Sequence, residues 1–110
     1  ISTETDNEYV EPLIQEVYHE IDRLHQEPVS AEELTIVRNY MLGEMCRSYE
    51  SPFSLSDAWI FIATSGLDDD YFSRSLLAVN EVTPMEIQDL AQRYLCKETL
   101  KEVIAGKKLS

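Results

Sequence analysis

The sequence has little of what fixed-site chemistry requires. It contains two histidines, two cysteines and three glycines in 110 residues. No run of ~18 apolar residues occurs, so no transmembrane helix is predicted. The Lys/Arg clusters that hold phosphate backbones or anionic membranes are missing, so neither nucleic acid nor a membrane is an expected partner. No phosphate-cradling glycine loop is present. Cys46 and Cys96 lack C-x-x-C or other metal-like spacing. They read as small apolar residues in a reducing compartment, which leans toward the cytoplasm; a disulfide is the alternative. No signal peptide is visible in a chain that begins at Ile1, and the missing start residue suggests a piece of a larger protein.

The few chemistry-bearing residues form no recognisable site. His19-Glu20 followed by His25 resembles H-E-x-x-H only superficially, because zinc motifs place two histidines four apart on one helix face. A gap of six residues turns the second ring through roughly 600°, onto another face. Both histidines are therefore expected to face solvent, and H-x-x-E-H is absent. Asp68, Asp69 and Asp70 are too close together for a calcium loop. They read as charge at a helix start, where the macrodipole favours it. Ser51, Ser54 and Ser56 lie in no nucleophile elbow. The sequence nominates no catalytic, cofactor-binding or metal-ligating residue.

A core, by contrast, is well supplied. Hydrophobic residues make up 44% of the chain, enough for a one-domain interior. The net charge is −12 and uneven: residues 1–33 hold ten acidic side chains and one Arg. That front reads as a solvated anionic face.

Apolar spacing predicts five helices. Leu13, Ile14, Val17, Tyr18, Ile21 and Leu24 form one stripe of a first helix. Pro12 belongs near its start, Gln26 near its end, and residues 1–8 read as a polar, frayed lead-in. Ser30 is the expected N-cap of a second helix, with Glu33 completing a capping box and Val29 and Leu34 a hydrophobic staple. Leu34, Val37, Met41 and Met45 are its expected buried stripe. Gly43 is disfavoured there, which suggests a close helix neighbour. Ser51-Pro52 starts a third helix with Leu55, Trp59 and Ile62 inward, Ala58 and Ala63 flanking, and Gly66 closing it. Tyr71, Phe72, Leu76 and Val79 carry a fourth, to about Asn80. Val82-Thr83-Pro84-Met85-Glu86-Ile87 starts a fifth, with Ile87, Leu90, Ala91 and Tyr94 as its stripe. Leu100-Lys101-Glu102-Val103-Ile104-Ala105, ending at Gly106, then reads as one strand. A lone strand cannot satisfy its own backbone, so its sheet is expected to lie outside this chain.

The order of these segments is recognisable. Glu27-Pro28-Val29-Ser30-Ala31-Glu32-Glu33-Leu34 leads into Arg38-Asn39-Tyr40, followed by Ser51-Pro52-Phe53 and Gly66-Leu67. Then come Val82 to Ile87, Leu90-Ala91-Gln92-Arg93-Tyr94-Leu95 and Val103-Ile104-Ala105-Gly106-Lys107. The succession resembles the last part of a pitrilysin/insulinase-type (inverzincin) peptidase homology domain, over nearly the whole chain. Its motifs are helix starts and a terminal strand, which speak to fold more than to activity. The resemblance implies related α+β halves enclosing a peptide chamber, with zinc held by H-x-x-E-H and a later Glu in the catalytic half. No residue here matches that zinc site, so none is carried over. The implied position is the helical end of one half, expected to be the non-catalytic one, in a peptide-degrading zinc peptidase.

The fold expectation is thus a mainly α portion of an α+β domain, residues 1–110 forming one partial domain. Its expected partners are the rest of the parent polypeptide and, through the parent, a peptide substrate. A homodimer is expected of the isolated piece through its unpaired strand. The alternatives are a free-standing helical interaction module and a segment of a catalytically dead homologue, like the core subunits of respiratory complexes.

Overall fold

A computed structural model describes residues 1–106. Among them stand five α-helices: α1 (Val10–Gln26), α2 (Ala31–Arg47), α3 (Pro52–Ser65), α4 (Tyr71–Glu81) and α5 (Pro84–Tyr94). Short 3-10 turns occupy Asn7–Tyr9 and Lys97–Thr99. The mainly helical class is as expected, and α2, α3 and α5 start where their cap signals placed them. Ser30 Oγ accepts the Glu33 N–H at 3.1 Å. Ser51 Oγ accepts the Ser54 N–H, and Ser54 Oγ returns the bond to the Ser51 N–H. Gly66 closes α3 at φ 65, the left-handed conformation that costs glycine least.

The chain divides into two compact units. One comprises Ile1–Val29 and the chain from Met85 on. Here α1 is the spine. Ile21 is 2% exposed, and Leu13, Ile14, Val17, Tyr18 and Leu24 are half-buried, so all six stripe residues face inward as expected. From α5, Ala91 is buried and Ile87 half-buried, but Leu90 and Tyr94 are exposed. The inward residues of α5 are Ile87, Gln88 and Ala91, continued by Leu95 just past its end. Polar Gln88 is among them because its side chain caps α1: the Nε2 groups of Gln88 and Gln92 donate to the His25 carbonyl at 3.0 and 2.7 Å. His25 Nε2 lies 2.9 Å from the Ala91 carbonyl, which can only accept, so that nitrogen carries the proton. The expectation of two solvent-facing histidines therefore holds for His19 and fails for half-buried His25. A periodicity argument cannot anticipate a ring that satisfies a neighbouring helix.

The other unit is Ser30–Pro84. Its buried side chains are Leu34 of α2 and Ile62 of α3. The inward face of α2 is Leu34, Arg38, Leu42 and Met45, whereas Val37 and Met41 are exposed. Arg38 displaces the apolar alternative because it serves the end of α4. Its Nε donates to the Val79 carbonyl at 3.1 Å, and its Nη2 donates to the Val82 carbonyl. Those carbonyls belong to a helix terminus that has no intrahelical donors left for them. In α3 the inward line is Ser54, Ala58 and Ile62, so Leu55 and Trp59 are not core residues. In α4, Ser75 sits inward and Leu76 outward. Gly43 has no close helix neighbour: a Cβ there would meet only Arg47 Nη1, at 4.0 Å.

No strand forms among the described residues. Residues 101–105 have no regular secondary structure, and none of their backbone groups pairs within the described chain. The expected strand is thus not formed in this chain, for the physical reason that a ladder needs a second strand.

Candidate interaction surfaces

No group of three or more His, Cys, Asp or Glu residues is placed to hold a metal ion among the described residues. His19 is exposed on α1, and His25 is engaged with α5. Cys46 and Cys96 are free thiols. Asp70 precedes α4 and reaches Arg74 Nε at 3.0 Å; Asp68 lies 3.8 Å from Arg74 Nη2. The aspartates therefore act as helix-start charge with an arginine counter-ion. The hydroxyls of Ser51 and Ser54 are spent on the α3 cap. No helix among the described residues is long and apolar enough to cross a membrane.

What the structure offers instead is surface. In the first unit the chain after α5 is fastened to α1 by side chains. Lys97 Nζ pairs with Asp22 and stands 5.7 Å from the Tyr18 ring centroid. The Tyr18 hydroxyl donates to Glu102 Oε1 at 2.6 Å. That contact raises the Tyr18 pKa, first because Glu102 accepts from the neutral phenol, then through desolvation and repulsion of the phenolate. Beyond Glu102, Val103 is 91% exposed and Ile104 is also exposed. The tail is held in place, yet its two strand-favouring side chains face solvent. The cleft lined by Leu13, Val17, Ile21, Leu24 and Leu95 is small and open, about 220 Å³. No set of polar groups converges on it.

The second unit leaves many large apolar side chains exposed. Ile36, Val37, Tyr40 and Met41 of α2 are exposed, as are Phe53, Leu55, Trp59, Ile60 and Phe61 of α3, and Leu76 and Leu77 of α4. These eleven large apolar side chains stand against two that are buried, Leu34 and Ile62. A helix that is apolar around most of its circumference, as α3 is, normally lies inside a larger structure. At the end of α2, Tyr49 packs edge-on against Phe72, and Phe72 against Tyr71, at 5.1 and 5.6 Å between centroids. Burial in this cluster is the main cause of a raised Tyr49 pKa, with Tyr71 and Cys46 adding to it.

Sequence reading missed these surfaces by assigning Trp59, Leu55, Val37, Met41, Leu90 and Tyr94 to the core. The signal that could have shown them is excess. On α3, apolar residues fill more positions than one inward stripe can hold.

Compared with protein-family models, with curated proteins and with solved structures, the chain finds no match.

Proposed function

We propose that the chain is a non-catalytic helical portion of a pitrilysin/insulinase-type peptidase half. In this reading it backs a β-sheet and helps wall a chamber around a peptide substrate. Zinc and the hydrolytic residues belong to the other half of the parent. The observation that carries the reading is the tail. Residues 101–105 carry the β-favouring pair Val103 and Ile104, leave their backbone unpaired among the described residues, and are anchored through Glu102 to Tyr18. That is the condition of an edge strand awaiting a ladder. The exposed apolar residues of α2 and α4 fit the same reading, because helices that back a sheet are covered on that side.

A free-standing interaction module is the second reading, favoured by the apolar circumference of α3. The coding sequence upstream of Ile1 separates the two. Alternating amphipathic strands and an H-x-x-E-H support the peptidase half. An upstream sequence without strands removes it and leaves the module.

A further inference from the structure

The unit Ser30–Pro84 combines an uncovered apolar helix with charge of one sign, and the combination restricts what can cover it. On α3, Asp57 is the one charged side chain. It is exposed and makes no hydrogen bond or ion pair among the described residues. Phe53, Ile60 and Phe61 lie four before, three after and four after it, and therefore share its face. Phe53 is 83% exposed, and Ile60 and Phe61 are exposed beside it. The Phe61 ring rests 6.0 Å from that of Tyr71, which fixes this face to the start of α4.

The unit contains nine Asp/Glu and three Arg, with no Lys or His. Each arginine is already engaged: Arg38 with the Val79 and Val82 carbonyls, Arg47 with Glu44, and Arg74 with Asp70. A second copy of this unit thus offers only three cations, each already paired, and the further cations of a second copy, such as Lys101, lie in its other unit. Two-fold pairing across the middle of α3 would also bring two Asp57 carboxylates together, and like charges in an interface are costly. The complementary surface must be apolar with an opposed positive charge.

We propose that the Phe53–Asp57–Ile60–Phe61 face of α3 docks a basic amphipathic helix. The partner's apolar stripe lies along Phe53, Ile60 and Phe61, and one of its Lys or Arg side chains meets Asp57. At a 1.5 Å rise per residue, α3 presents a row about 20 Å long, the length of three to four turns of a partner helix. The inference does not depend on the peptidase reading, because it uses only the surface of this unit.

The test uses the whole chain and two 18-residue amphipathic helical peptides, one of Leu and Lys and its twin of Leu and Glu. Calorimetry gives affinity, and emission from Trp59, the only tryptophan, is the control: two residues on from Asp57 it stands about 200° round α3, so it is expected to stay unshifted. The Leu/Lys peptide is expected to bind, and the Leu/Glu twin at least about tenfold more weakly. Asp57→Asn is expected to weaken the Leu/Lys complex about tenfold, as loss of one partner of an interface charge pair does. Glu81→Gln, at the other end of α4, is expected to change it less than about twofold. Phe53→Ser weakens binding without changing the charge. Equal affinity for the two peptides, no binding by either, or equal losses from Asp57→Asn and Glu81→Gln would overturn the proposal. Self-association that Phe53→Ser abolishes would overturn it too, by making a second copy the occupant.

Discussion

The hydroxyl of Tyr18, midway along α1, donates to the carboxylate of Glu102 at 2.6 Å, joining the tail to the spine of the first unit. Glu102 raises the tyrosine's pKa above the usual 10.0 by accepting from the neutral phenol and repelling the phenolate. The stabilisation linked to a raised acid pKa is present below the unfolded value and is lost as pH rises through the folded one. Carbon-13 NMR of the tyrosine ring should place the Tyr18 midpoint above 10.0. Glu102→Gln should bring it back down. A midpoint unmoved by that substitution would mean the contact is not formed in solution.

Arg38 ties α2 to the end of α4 through two carbonyls. Replacing it by alanine removes charge-assisted donors from a half-buried helix terminus. The expected loss is about 1.5–3 kcal/mol, the range for hydrogen bonds to charged groups. Urea unfolding measures it, and a midpoint unchanged from the parent chain would contradict the capping role.

Ser30→Ala removes the oxygen that accepts the Glu33 N–H and should cost about 1 kcal/mol. Thr83→Ala is expected to cost a similar amount, since α5 begins at the next residue, Pro84. Unmoved denaturation midpoints in both variants would count against these helix starts.

Gly43 lies inside α2 with space where a Cβ would stand. Gly43→Ala should therefore stabilise the chain by about 0.5–1 kcal/mol, through helix propensity and a stiffer unfolded state. Destabilisation would reveal a close neighbour at this helix face.

Helix existence and ends were legible because caps, prolines and Gly66 act locally. Ser30, Ser51-Pro52 and Thr83-Pro84 each announce a helix within four residues. The stripe of α1 was legible because one apolar face is set against polar residues everywhere else. The inward faces of α2, α3 and α4 were not. There Arg38, Ser54 and Ser75 take inward positions while Val37, Trp59 and Leu76 face solvent. A count of apolar spacings assumes that the most hydrophobic face is the buried one. That assumption fails when apolar faces remain uncovered, and when an arginine is drawn inward by another helix's carbonyls. The role of His25 was hidden for the same reason: its partner, Ala91, lies 66 residues away.

The central claim is that residues 100–105 act as an edge strand seeking a ladder. In the isolated chain the available partner is the same strand of a second copy, paired antiparallel about a two-fold axis. Light scattering across a range of concentrations tests this on the full chain, on a form ending at Tyr94, and on Ile104→Pro, which removes one ladder donor. The account predicts that the full chain rises above its 12.7 kDa monomer mass while both altered forms remain monomeric. A full chain that stays monomeric at high concentration, or equal association by the altered forms, would contradict it.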